Sequence, residues 1–332
     1  MVAAQAIRPT VLITGSTDGI GLTTAKNMAI QGYHVIVHGR DETRINRACD
    51  AIRAFVDHHR EGDASTKWKN KNKDEKFEDV QDGAVMIESV LADLSTVRGC
   101  ELLASGVTKV CRDKNLHLAV LMNNAGVYSE DLITTSDGTE LTFAVNVVAP
   151  FVLTSHLLPE LLRNNIDKTK STNMGTDNSR RRSSRIVIAS SISQCRSMRD
   201  WDDLKYQKRT YSAHGAYSES KLCDAMLAQK FAERLQGAGY GLDQVTCNSL
   251  DPGTVNTKML LAGWGPCGID VEDALDETYL CSSPEVEGIT GSYFRWRSES
   301  RSDYPARERE KLWNILSDLA PSAADMWKFD WK

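Results

Sequence analysis

Six short apolar runs, each separated from the next by enough chain for a helix, constrain this sequence more than any other feature. They are Val11 to Thr14, Tyr33 to His38, Val85 to Leu91, Leu118 to Met122, Ile186 to Ser190 and Val245 to Leu250. Continuous apolar runs without polar alternation suit strands covered on both faces, which means a parallel sheet sandwiched between helices. Between the first two runs, Ile20 to Gln31 carries Leu22, Ala25 and Ala29 at helical spacing, so the chain opens with a strand and a helix. Gly291 to Arg297 supplies a seventh run. The expected fold is α/β: a doubly wound, mostly parallel seven-stranded sheet in one domain over residues 1–300, followed by a C-terminal helical extension at 301–332. In that extension Leu312, Trp313, Ile315, Leu316 and Leu319 form an amphipathic pattern expected to pack back on the domain, ahead of Trp327, Phe329 and Trp331.

A length of 332 residues alone allows one large domain or two smaller ones. Two polar stretches, Asp57 to Asp82 and Asn164 to Arg185, fall between the runs and read as loops or disorder decorating one domain. The second contains Arg180, Arg181, Arg182 and Arg185, read as a solvated loop. With 41% hydrophobic and 26% charged residues and a net charge of −5, nothing draws the chain toward nucleic acid or anionic membrane. Eight cysteines lack CxxC spacing, so no metal site is expected and the thiols are taken as reduced. No stretch reads as a membrane span, and Met1 to Arg8 is too short and polar for a signal peptide, so a cytoplasmic location is expected.

The turn Thr14, Gly15, Ser16, Thr17, Asp18, Gly19, Ile20, Gly21 joins the first strand to the first helix, where a dinucleotide's pyrophosphate binds in such folds. Glycines let the backbone approach the phosphates, and the helix N-terminus offers free N–H groups. After the second strand, Gly39 stands where an acid would bond the ribose of NAD, and Arg40 follows with a guanidinium suited to a 2′-phosphate. NADP (NADPH) is therefore preferred, with NAD open because Asp41 could compete for Arg40; Arg44 could add a second phosphate contact. Tyr217 and Lys221 lie four apart on one helix face, where an ammonium favours the phenolate.

Together these residues resemble the short-chain dehydrogenase/reductase family, a Rossmann-type fold, in its one-domain branch. Thr14 to Gly21 matches T-G-x-x-x-G-x-G, Asn123-Asn124-Ala125-Gly126 matches N-N-A-G, Tyr217 to Lys221 matches Y-x-x-x-K, and Pro252-Gly253-Thr254 matches the stretch after the sixth strand. The motifs span about 280 residues in order. Within the family the chain is most similar to retinol dehydrogenase and WW-domain oxidoreductase relatives.

The resemblance implies the roles. Tyr217 is the general acid and base, Lys221 lowers its pKa and bonds the nicotinamide ribose, and Ser191, with Ser190 as fallback, stabilises the carbonyl oxygen. Asn146 matches the asparagine that holds a relay water, with a purely structural amide equally open. Asp93 and Leu94 match adenine contacts, or Asp93 caps the helix near Ser95. Asn124 ties loops or contacts the adenosine half, and Ala125 and Gly126 lie against the cofactor. Pro252, Gly253, Thr254, Val255 and Thr257 surround the nicotinamide carboxamide and the pyrophosphate. The implied activity is an NADP(H)-dependent oxidoreductase for a small, rather apolar carbonyl or alcohol. Trp264, with Trp201 and Tyr206, is expected at the substrate, and relatives suggest a homodimer. The alternative is a nucleotide-binding regulatory or scaffold protein on the same fold.

Overall fold

The computed structural model describes residues 9–61, 86–168, 182–300 and 304–328. Eight strands form one sheet in the order β3-β2-β1-β4-β5-β6-β7-β8. β1 (Pro9–Ile13), β2 (His34–Gly39), β3 (Ile87–Leu91), β4 (His117–Asn123), β5 (Ser184–Ala189), β6 (Val245–Asp251) and β7 (Tyr293–Arg295) are parallel to their neighbours. The strand order reverses direction between β1 and β4, and ligands in open α/β sheets bind in the crevice beyond the carboxyl ends of such strands.

Where seven strands were expected, the last run is a hairpin. β8 (Ser298–Ser300) returns antiparallel to β7. Its two-residue turn, Trp296 and Arg297, has φ of 51° and 58°. Tight hairpin turns of this hand normally use Asn or Gly, so neither residue signals one in sequence. β3, at the opposite edge, is half-exposed along its length and departs from the expectation of strands buried on both faces.

Alternate residues of each central strand feed two cores. Leu12, Leu121, Ile186 and Ile188 pack against α3 (Val97–Asp113), α5 (Ala149–Lys168) and α6 (Ala213–Gly237). Val11, Ile13, Val35 and Val187 face α1 (Gly19–Ile30) and α2 (Glu42–Glu61) on the other side. α4 (Leu141–Phe143) leads through a π-helical segment, Ala144–Val148, directly into α5. The resulting helix, Leu141–Arg163, is the one among the described residues long and apolar enough to cross a membrane, yet 89% of its most apolar 18-residue window is buried inside the protein. Its composition suits a core helix packed on all sides.

Both polar stretches are partly helical or sheet. α2 runs on to Glu61 and α5 to Lys168, and the remainder of the first stretch and residues 169–181 of the second, with Arg180 and Arg181, lie outside the described residues. Arg185 belongs to β5, buried and paired at 2.9 Å with Glu287, so it is no part of a solvated basic loop. Short helices α7 (Lys258–Gly263) and α8 (Asp276–Ser282) lie between β6 and β7.

At the C-terminus, α9 (Ala306–Leu319) and α10 (Pro321–Asp325) press Leu312, Trp313, Leu316 and Trp327 into the core cluster of α5 and α6. Trp313 meets Phe151 edge-on at 5.2 Å, Trp327 stacks on Phe231 at 5.2 Å, and the Trp327 indole N–H donates to Ser155 Oγ at 2.7 Å. Phe329 and Trp331 lie outside the described residues. Trp313→Ala should cost about 3–5 kcal/mol of folding stability. A lowered urea midpoint measured by circular dichroism checks this, and an unchanged midpoint would show that the tail contributes little.

Candidate active site

The first turn is built around two backbone positions. Gly15 and Gly19 adopt φ of +65° and +55°, a region that costs L-residues free energy. At Gly21 a Cβ would stand 2.4 Å from Asn124 Nδ2 and 2.7 Å from the Gly15 carbonyl oxygen, so the first helix can begin here only as glycine. Asn124 answers the alternative left by the sequence. Its Nδ2 donates to the Thr14 carbonyl at 2.7 Å, and the Thr14 hydroxyl accepts from the N–H groups of Asn124 and Ala125 at 3.0 and 2.9 Å, so this amide ties loops. Ser16 is buried, donating to the Ile13 carbonyl at 2.8 Å and accepting from His38 N–H. Asp18 caps α1 by accepting from Gly19 N–H. Its other oxygen meets Arg44 at 3.3 Å and Lys258 of α7, and the Lys258 bond holds its carboxyl below the usual range. Thr257 caps α7 by accepting from Leu260 N–H and also abuts Gly19 across the cleft.

His38 was not singled out by sequence. Its Nδ1 accepts from Gly15 N–H at 3.1 Å and its Nε2 lies 3.3 Å from the Ala92 carbonyl, which assigns the neutral Nε2–H tautomer. The ring thereby pins the glycine turn to the segment after β3. Burial pushes its pKa down to about 4. Because the folded value lies below the unfolded 6.5, its contribution is complete above pH 6.5 and is lost as pH falls toward 4. That loss is about 3 kcal/mol. His38→Gln should flatten the acid arm of stability over this range, measured as urea midpoints against pH; an unchanged slope would contradict a buried neutral ring.

On the ribose side, a Cβ at Gly39 would lie 2.7 Å from Thr17 Cγ2 and 3.2 Å from Ile45 Cγ1, so the packing excludes the acid that NAD sites carry there. Arg40 is exposed. Asp41 does not compete for it, since its Oδ1 accepts from Arg44 N–H at 2.8 Å. Asp93 bonds Ser95 N–H and Oγ, while Thr96 caps α3, so Asp93 shapes a turn before the helix and does not cap it. The Leu94 side chain is buried in the core beside α3.

Beyond β5, Ser190 and Ser191 separate cleanly. Ser190 Oγ is buried and donates to the Lys221 carbonyl at 2.6 Å, leaving the Ser191 hydroxyl as the one that acts on the Tyr217 phenol. Lys221 Nζ donates to the Ala189 carbonyl and to Asp224 Oδ2, both at 2.8 Å, and lies 5.7 Å from the Tyr217 ring centre. Lys221 was expected to lower the phenol's pKa. Burial raises it more than the ammonium and the Ser191 bond lower it, so the phenol here stands above its ordinary value. Burial also disfavours the Lys221 ammonium, but Asp224, Tyr217 and Glu277 together outweigh it and the net direction is up. Asn146, in the π-helical segment, accepts from Val127 N–H at 2.8 Å and donates to the Val127 carbonyl and Ser220 Oγ. Its amide is fully engaged in tying the Gly126 strand end to α6.

Three aromatic residues gather around the phenol. Tyr128 lies 5.9 Å from Tyr217 and 5.0 Å from Trp264, Trp264 lies 5.6 Å from Tyr217, and His214 touches Tyr128 and Trp264. Ile192, Leu261 and Ile269 are exposed nearby in sequence. Trp201 and Tyr206 stand away from this group: Trp201 donates to Glu308 of α9, and Tyr206 to Glu219, whose carboxylate Arg209 holds by two 2.7 Å bonds. His214 and Asp224 share the Tyr217–Lys221 face of α6 at i−3 from Tyr217 and i+3 from Lys221, a spacing that could have revealed both. Tyr128 and Arg209 carry no such signal.

A family model described as short chain dehydrogenase matches residues 9–69. Polyprenol dehydrogenase of Mus musculus is 30% identical over 317 residues, covering 91% of this chain and 81% of that protein. Retinol dehydrogenase 14 of Mus musculus is 31% identical over 325 residues, covering 92% and 84%. The chain belongs to the short-chain dehydrogenase/reductase family. It is an NAD(P)-dependent oxidoreductase acting on CH–OH or C=O groups. The WW domain-containing oxidoreductase of Gallus gallus is 27% identical over 302 residues, 86% of this chain and 60% of that protein. In fold the chain is similar to an uncharacterised protein from Mycobacterium paratuberculosis, with a TM-score of 0.63, 21% identity and coverage of 95% and 96%. It is also similar to the Pseudomonas aeruginosa RhlG/NADP complex, with a TM-score of 0.57, 18% identity and coverage of 87% and 94%.

Proposed function

We propose that this short-chain dehydrogenase/reductase prefers NADP(H) and interconverts the carbonyl and alcohol of a small, rather apolar molecule, with Tyr217 as general acid and base. The juxtaposition of Tyr217, Ser191 and Lys221 beyond the carboxyl end of β5 carries this reading. A nicotinamide bound along the cleft supplies or accepts the hydride. The glycine turn fits such a cofactor, since Gly15 and Gly19 hold the left-handed backbone that a tight turn into the N-terminus of α1 requires. Tyr217 gives its proton to the carbonyl oxygen in reduction and recovers it in oxidation, while Ser191 donates to the same oxygen. The rings of Tyr128 and Trp264 supply an apolar wall beside that oxygen.

The cofactor preference rests on Gly39, where an acid does not fit, and on the exposed Arg40. The RhlG neighbour, whose structure holds NADP, agrees with it. The polyprenol and retinol dehydrogenases among the relatives point to an alcohol on an apolar body, in keeping with the ring-lined wall. A small-molecule carbonyl or alcohol is therefore the partner assigned to the cleft.

Tyr217→Phe should remove turnover across a panel of ketones, aldehydes and alcohols, by about 100-fold or more, and leave NADPH binding within a few-fold. Retained activity in that variant would refute the mechanism. Arg40→Ala should weaken NADPH binding about tenfold, a loss of about 1.4 kcal/mol, with little change for NADH, as followed by nicotinamide fluorescence. Equal losses for both cofactors would overturn the phosphate assignment.

A further inference from the structure

Within the buried face of α6, one carboxylate has no part in the mechanism so far. Asp224 is fully buried, its Oδ2 lies 2.8 Å from Lys221 Nζ, and its Oδ1 has no hydrogen-bond partner. A buried carboxylate is costly unless its charge is balanced, and here the balancing charge is the ammonium that the proposed reaction places beside the phenol. Lys221 is itself buried, and its other bond goes to the neutral Ala189 carbonyl. The lysine therefore presents to Tyr217 a charge already partly cancelled from behind.

We propose that Asp224 is a positioning residue which, through Lys221, keeps Tyr217 protonated to higher pH than the ammonium alone would, holding the phenol in its proton-donating form for carbonyl reduction. The inference rests on the Tyr217 mechanism above. The electrostatics agree in direction, since the Asp224 charge raises both the phenol and the ammonium. Asp224 itself is pushed up to about 7 by burial, against the pull of Lys221, so the acid and the ammonium titrate as one unit with the phenol.

The surrounding charges are few. On α6 they are Lys221, Tyr217, His214 in the ring group and the Cys223 thiol, which burial keeps protonated, and from the segment after β4 Tyr128 faces the phenol. From β6, Asp251 acts on Tyr217 in the same direction as Asp224 but is engaged with Gly253 N–H and Arg295. From α8, Glu277 acts on Lys221 while bonded to Thr24, and burial pushes it up to about 8. From β5 and the π-helical segment come only the Ala189 carbonyl and the Asn146 amide, neither of which titrates. Asp224 is the one carboxylate in contact with the ammonium among the described residues.

Asp224→Asn keeps the shape and an oxygen for Lys221 but removes the charge, so the first proton should leave the Tyr217–Lys221 pair at lower pH. The acid limb of kcat/KM for alcohol oxidation should move down by about one pH unit, and Asp224→Glu should return it toward the parent position. The same shift should appear without turnover in the ultraviolet phenolate titration that Tyr217→Phe abolishes, which separates failure of this inference from failure of the mechanism. Should the amide variant not fold, Asp224→Ser removes the same charge with a smaller side chain. A limb and a titration that stay in place, or move upward, would overturn the proposal.

Discussion

The attachment of α6 to the end of β5 is the constraint on which the site depends. Two bonds make it: Ser190 Oγ reaches the Lys221 carbonyl, and Lys221 Nζ reaches the Ala189 carbonyl. Each satisfies a polar group that would be expensive to bury alone. Because both anchor points immediately precede Ser191, the helix sets down Tyr217 close to that hydroxyl. Asn146 adds a third fastening, from the π-helical segment to Ser220, and brings the Gly126 strand end against the same helix.

The phosphate end of the cleft is held by a comparable economy. Thr14 and Asn124 join the ends of β1 and β4, and His38 joins the turn to β2 and to the chain leaving β3. The side chains of the turn are largely spent on its own shape, as Ser16 shows, so the backbone is what it offers to a ligand. Asp18 stands apart from this pattern. It places a carboxylate at the N-terminus of α1, where the dipole favours negative charge, and ties Arg44 and Lys258 around the mouth of the cleft.

Buried charge distinguishes the catalytic end. Lys221 and Asp224 form a pair deep in α6, Glu277 is buried against Thr24, and Arg209 clamps Glu219 two residues from Tyr217. Such pairs contribute little net stability, because desolvation offsets their attraction, but removing one partner is costly. They act chiefly on position and on protonation. The segment after β5 is fixed to α6 through Glu219, and through Trp201 and Tyr304 to the C-terminal tail.

Apolar runs and glycine spacing made the parallel sheet and the first turn legible, because burial on both faces and left-handed backbone leave local marks in composition. Tyr217 and Lys221 were legible for the same reason, being one helical turn apart. The eighth strand was not, since Trp296 and Arg297 take turn conformations against their own preference. What the side chains of Leu94 and Asn124 pack against or bond was not legible locally, because it depends on neighbours far away in sequence. The sequence by itself determined the parallel part of the sheet and the order of the motifs. Only the tertiary structure decided between Ser190 and Ser191, set Asp224 behind Lys221 and raised the phenol, because desolvation and hydrogen bonding depend on what surrounds a group and not on its position in the chain.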